Sequence, residues 1–173
     1  MARQTIRKWF WVWDFEKEEK WLNDMAATGW TLDGVGWCRY DFKTTEADEY
    51  TIRLEMLDKS VYAAGSQEYI DFVEQTGAEY VGNVIKWVYF RKKKELGEFE
   101  LFSDIDSKIK HLNRIIAMLA IIGGANLLIG ITGFARVGYM GLINIGCAAV
   151  LAFAAYLIYR KKKKLQNERV WRE

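Results

Sequence analysis

The chain has 173 residues, 51% of them hydrophobic and 28% charged, with a formal net charge of +2. So small a basic excess carries no electrostatic footprint for nucleic acid, and no direct nucleic-acid binding is expected. Cys38, Cys147 and the single histidine, His111, supply neither a disulfide framework nor a metal or haem ligand set. No Ser-His-Asp or Cys-His pair can be assembled from them either, so the expectation is a protein that is not an enzyme and has no cofactor.

The averages conceal two unlike parts. Residues 1–98 hold most of the acidic groups and seven of the eight tryptophans, whereas long apolar runs begin only after residue 114. We divide the chain near residue 98. Lys8 to Asp14 reads as a first strand, with Trp9, Trp11 and Trp13 on one face and Phe10 and Val12 on the other. The apolar run from Trp9 to Trp13 is too short for a secretory signal and lacks a small-residue cleavage site. Glu16 to Thr28 reads as a helix with Asp14 as its N-cap. Trp21, Leu22, Met25 and Ala26 lie on one side of it, and Gly29 is suited to a left-handed C-terminal cap. A second strand follows from Trp30 through Trp37, Tyr40 and Phe42.

The same grammar returns 48 residues later, where Gly29 corresponds to Gly77 and Gly34 to Gly82. Tyr50 to Leu57 reads as the third strand, Ser66 as the cap of a helix carrying Tyr69, Ile70, Phe72 and Val73, and Ile85, Val88 and Phe90 as points on the fourth strand. The predicted order is strand, helix, strand, strand, helix, strand. That is an α+β domain of the ferredoxin-like, split βαβ type with an antiparallel sheet.

In the third strand Tyr50, Ile52, Leu54 and Met56 alternate with Thr51, Arg53 and Glu55, which predicts one core face and one open face. If the first set faces the helices, the open face presents Trp9, Trp11, Trp13, Trp37 and Trp87 beside Arg39 and Arg53. Tryptophan and arginine dominate interface hot spots, so these seven are the candidate partner-binding residues. Core packing or contact with the membrane interface would account for the same stripe.

After the basic run Arg91 to Lys94, the stretch Glu95 to Phe102 has no clear period and reads as a joint. Ser103, with Asp104 and Asp106 in the first turn, predicts the N-cap of a coupling helix within residues 99–114 that carries Ile105, Ile109 and Leu112. This helix leads into two runs, 115–134 and 137–159, each close to the roughly 20 apolar residues a transmembrane helix needs. Arg136 is the only charge between Ile115 and Tyr159. So short a connection, Ala135-Arg136 between Gly133 and Gly138, makes the spans an antiparallel transmembrane hairpin.

Lys108, Lys110 and Arg114 precede the hairpin, and Arg160 to Lys164 open the basic tail, residues 160–173, in which Trp171 fits a headgroup layer. The positive-inside rule puts both termini in the cytoplasm, with the lipid bilayer as the first partner. Asn126 and Asn144 stand at similar depth, which favours a hydrogen bond between them. Gly130 and Gly141 permit close helix approach within one hairpin or between copies, the latter giving a homo-oligomer.

Several local motifs resemble a family of uncharacterised bacterial membrane proteins known mainly as a domain of unknown function. They are Lys8-Trp9-Phe10, the run Asp14-Phe15-Glu16-Lys17-Glu18-Glu19-Lys20-Trp21-Leu22, Met25-Ala26-Ala27 with Gly29-Trp30, and Tyr40-Asp41-Phe42. The resemblance covers roughly residues 7–114. It implies no catalytic residue. Members are often encoded beside PadR-type transcription regulators, so it implies a membrane-anchored partner or antagonist of such a regulator.

The favoured expectation is therefore a membrane-tethered regulatory or sensory module whose cytosolic sheet face binds a partner protein or small ligand. The alternative is a structural or transport-accessory protein that assembles through the glycines of its hairpin. Hydrolase or transferase chemistry is disfavoured. Asp14 and Glu16 form a carboxylate pair, but no base, metal set or phosphate loop accompanies them.

Overall fold

The structure, a computed structural model, describes residues 2–102, 105–137 and 139–170. The chain divides into two compact units, Met1–Ser103 and Asp104–Glu173.

The first unit is α+β with antiparallel sheets, built from two copies of a strand-helix-hairpin unit. In the first copy β1 (Arg3–Arg7) is followed by α1 (Phe15–Ala27), β2 (Trp30–Gly36) and β3 (Arg39–Thr44). In the second, β4 (Tyr50–Met56) is followed by α2 (Ala64–Gln75), β5 (Ala78–Val84) and β6 (Trp87–Lys93). Both copies place the last strand in the middle of a three-stranded sheet, in the orders β1-β3-β2 and β4-β6-β5.

The expected 48-residue repeat extends to fine detail. Gly29 and Gly77 close α1 and α2 with φ of +85° and +86°, which a residue bearing a Cβ rarely adopts. A bulge falls between Leu32 and Gly34 in β2 and between Tyr80 and Gly82 in β5.

Connectivity departs from the split βαβ expectation because each second strand is a hairpin. The chain reverses at Trp37-Cys38 and at Ile85-Lys86, where Cys38 and Ile85 take φ of +53° and +56°. Two-residue hairpins normally announce themselves with Asn-Gly or Gly; these carry neither. The first strand also differs. β1 pairs with β3 only from Arg3 opposite Lys43 to Arg7 opposite Arg39. Since β3 begins at Arg39, pairing runs out there, closed by Lys8 N–H donating to the Cys38 carbonyl at 3.1 Å. The following tryptophans leave the sheet, and Val12–Asp14 forms a 3-10 turn.

Both helices lay an apolar stripe on the sheets. Phe15, Leu22 and Ala26 of α1 are buried, as are Leu32, Phe42, Ile52 and Leu54 on the strands. Ile70 and Val73 of α2 pack with Val88, Phe90, Ala78 and Phe99. No face of β4 is open, which corrects the one-sided expectation: Tyr50, Ile52, Leu54 and Met56 are buried, and so is Glu55 on the opposite face. Glu55 accepts a hydrogen bond from Tyr69 of α2 at 2.5 Å.

The free edge of β4 is closed by side chains of α1. Asn23 Nδ2 donates to the Ile52 carbonyl and Asn23 Oδ1 accepts from Ile52 N–H, both at 2.9 Å. Glu19 Oε2 accepts from Leu54 N–H at 3.2 Å. An unpaired edge is thereby satisfied without another strand.

Capping differs from expectation. Asp14 precedes α1 without a capping bond and pairs instead with Lys17 at 2.7 Å. Ser66 lies inside α2 and is buried. The stretch expected to be a joint is docked: Lys94–Leu96 forms a 3-10 turn, Phe99 enters the α2 core and Glu100 pairs with Arg53 at 3.1 Å.

The second unit is an antiparallel pair of helices, α3 (Ile105–Val137) and α4 (Tyr139–Val170), so the helical conformation continues through the residues expected to form the turn. Segments Ile105–Phe134 and Gly141–Asn167 are long and apolar enough to cross a membrane. Ile121, Leu128, Ile143 and Phe153 present their side chains outward.

Gly130 and Gly141 face each other inside the pair. A Cβ on Gly141 would collide with the Gly130 carbonyl oxygen and the Phe134 backbone, and one on Gly130 would lie 2.7 Å from Ile145 Cγ1. Asn126 Nδ2 donates to the Ile122 carbonyl of its own helix at 2.9 Å. Among the described residues no bond joins it to Asn144. The expected cap Ser103, with Asp104, and the residues Gly138 and Trp171 lie outside the described residues, as does the side chain of Arg136.

Candidate functional site

Four of the seven residues expected to bind a partner come together. Trp9 meets Trp37 with ring centroids 6.2 Å apart, and Trp11 at 5.4 Å, both nearly perpendicular. Trp11 stacks on Trp13 at 4.9 Å with the rings 6° from parallel. Trp9, Trp11 and Trp37 remain 53%, 50% and 67% exposed. The array is therefore a continuous line of indoles at the surface. Its makers are an irregular segment, a 3-10 turn and a hairpin tip, not one strand face. Edge-to-face and offset contacts hold such rings in place without burying them.

The other three candidates lie elsewhere or are occupied. Arg39 stands beside the tip, but its Nε and Nη2 donate to the two carboxylate oxygens of Asp41 at 3.1 and 2.7 Å. Those bonds, with one from Thr5, hold the Asp41 carboxyl below the usual carboxylate range. Arg53, on β4, pairs with Glu19 at 3.5 Å and with Glu100. Trp87, on β6, packs on Phe15 of α1 at 5.7 Å.

The same segment turns its alternate residues inward. Phe10 contacts Trp21 of α1 at 5.5 Å and Tyr40 of β3 at 6.3 Å, and Trp21 meets Tyr40 at 5.0 Å. The ammonium of Lys8 sits 4.4 Å from the Trp21 ring and 4.9 Å from the Phe10 ring. Three rings in mutual contact thus form a small aromatic cluster, and the cation lies over two of them, Phe10 and Trp21, with Tyr40 buried beneath.

Behind the cluster lies a carboxylate that sequence reasoning missed. Glu18 is buried on the apolar face of α1, one turn from both Phe15 and Leu22. Its Oε1 accepts hydrogen bonds from the Tyr40 hydroxyl at 2.7 Å and the Tyr89 hydroxyl at 2.6 Å. Burial raises the Glu18 pKa, opposed by the bonds from Tyr89 and Tyr40. Burial, reinforced by the Glu18 charge, pushes both phenols far above their usual range, so they stay protonated donors. The available signal was a glutamate in register with the helix's apolar stripe.

Among the described residues no group of His, Cys, Asp and Glu side chains is placed to hold a metal ion. The Lys8–Asp14 segment thus carries a surface of indoles on one side and an aromatic cluster with a buried acid behind it on the other.

No match was found among curated proteins or among solved structures. A family model described as "Protein of unknown function (DUF2812)" matches residues 14–123, taking in the chain from the start of α1 to just past the middle of α3. The chain therefore belongs to the DUF2812 family of proteins of unknown function.

Proposed function

We propose that this protein is a membrane-anchored binding module. The α3–α4 hairpin crosses the bilayer, both termini lie in the cytoplasm, and the sheet domain holds a partner protein at the Trp9-Trp11-Trp13-Trp37 array. The anchoring rests on two helices long and apolar enough to span a membrane and on the basic residues that flank them.

The observation that carries the binding reading is the array itself. Soluble surfaces rarely display contiguous indoles, and a patch of exposed tryptophans is where a partner gains most on burial. The partner we propose is a PadR-type transcription regulator, held away from DNA at the membrane. The chemistry is binding rather than bond-breaking. Assembly through Gly130 and Gly141 is the weaker reading, because those two glycines are used up within one hairpin.

The test is a pull-down from native membranes with the tagged full-length chain, alongside a Trp9→Ser, Trp37→Ser double variant. Both side chains are exposed, so the variant should fold. Capture of a regulator by the parent and its loss from the variant is the expected result. Equal capture by both removes the array from the binding surface.

A further inference from the structure

The Lys8 ammonium has an unusual set of partners. Among the described residues it makes no ion pair, although acidic side chains are abundant in this domain. Its contacts are the faces of Trp21 and Phe10, at 4.4 and 4.9 Å. The Lys8 backbone is fixed by its bond to the Cys38 carbonyl, but the side chain is exposed. Withdrawing it breaks nothing except cation–π attraction.

What it would leave is a site with its own chemistry. Phe10, Trp21 and Tyr40 contact one another at 5.0 to 6.3 Å, and indole is the best cation–π acceptor among side chains. The Tyr40 hydroxyl is held by the Glu18 carboxyl at 2.7 Å, so the third ring is tied directly to a buried acid. Both tyrosine hydroxyls use Oε1, and among the described residues no group donates to Oε2. Aromatic faces are how proteins recognise quaternary ammonium groups, which cannot donate strong hydrogen bonds.

We propose that the adjoining ring faces of Phe10 and Trp21, supported from beneath by Tyr40, are a binding site for a small organic cation of the quaternary-ammonium class, and that Lys8 is its intramolecular occupant in the unliganded protein. This goes beyond the partner-binding reading and is independent of it. Partner capture depends on the outward tryptophans, whereas cation binding depends on the inward rings of the same segment.

The experiment is calorimetric titration of the full-length chain, in lipid nanodiscs of phosphatidylglycerol, with choline and with its neutral isostere 3,3-dimethylbutanol. Choline should bind about tenfold more tightly than the isostere, because only it carries the charge. Lys8→Ala should tighten choline binding several-fold by removing the competitor, and Trp21→Leu should abolish it. If Trp21→Leu does not fold, Phe10→Leu serves in its place, with about a tenfold loss expected.

A trimethylammonium group is carried by free small molecules and by one lipid headgroup. Nanodiscs containing phosphatidylcholine separate the two: lost binding of free choline assigns the site to the headgroup, and unchanged binding assigns it to a free cation. Equal affinity for choline and its isostere overturns the proposal. So does the absence of choline binding in both the parent and Lys8→Ala.

Discussion

The hydroxyl of Tyr89, on the last strand of the second repeat, donates to Oε1 of Glu18, on the helix of the first repeat, across 2.6 Å. Tyr40 donates to the same oxygen from the first repeat. One buried acid therefore joins the two halves of the domain. Removing either donor leaves the acid under-satisfied, and a hydrogen bond to a charged group is worth about 1.5–3 kcal/mol. Tyr89→Phe should destabilise the protein by roughly that amount. In a Glu18→Gln background the same substitution should cost less, as a double-mutant cycle in chemical denaturation would reveal.

Glu18 also sets a pH dependence. Its folded-state pKa is raised above the ordinary value of 4.5 by burial, so between those two values the native state binds more protons than the unfolded chain. Stability must then fall as pH rises through that window and stay lower above it. Glu18→Gln keeps an acceptor for both phenols and removes the titration. Thermal midpoints measured by tryptophan fluorescence should decline with pH in the parent and be flatter in the variant, which should be the more stable of the two at neutral pH.

Arg91 also joins the halves. From β6 its Nη1 donates to the Leu32 carbonyl of β2 at 2.7 Å and pairs with Asp33 at 3.3 Å, while Nη2 meets Glu79 of β5 at 2.6 Å. Its side chain is only 11% exposed, so Arg91→Ala should cost about 1–3 kcal/mol by orphaning the groups it serves. The Asp33 carboxyl is held below its usual range, mainly by the bond from Lys43 and then by Arg91. That contribution is present above the ordinary aspartate pKa and lost as pH falls through the folded value. Acid unfolding should therefore be shallower in Arg91→Ala, and still steeper there than when Lys43 is removed as well.

Asn23 guards an edge. Asn23→Leu would expose Ile52 N–H and C=O on β4, at a cost of about 1–3 kcal/mol. The unpaired edge should also promote association. Light scattering at raised protein concentration should show aggregation in the variant and not in the parent.

In the hairpin, Gly141→Val places side-chain atoms where the Gly130 carbonyl and the Phe134 backbone already lie. Overpacking of this kind costs typically about 1–3 kcal/mol. Gly124→Ala meets open space and should leave the thermal midpoint in detergent unchanged. A midpoint equally insensitive to both substitutions would mean that the helices do not cross at Gly130 and Gly141.

Local signals carried much of the architecture. The two sheet-domain helices, their stops at Gly29 and Gly77, the 48-residue repeat and the two long apolar helices depend on periodicity and backbone freedom within a few residues, and such features are legible in a linear chain. Distance in sequence hid the rest. The reversals at Trp37-Cys38 and Ile85-Lys86 carry no turn residues, because neighbouring strands impose them. Trp9 to Trp13 alternate like a strand, yet their partner strand begins at Arg39, so pairing ends at Arg7 and the tryptophans are free to gather at the surface. Glu18 is an ordinary helix glutamate until Tyr40 and Tyr89 are brought to it from the two halves. Whether Gly130 meets Gly141 or another chain likewise depends on how two helices cross. Backbone preference and hydrophobic period are properties of a segment; burial and hydrogen-bond partnership are properties of the assembled chain, and those only the tertiary structure determines.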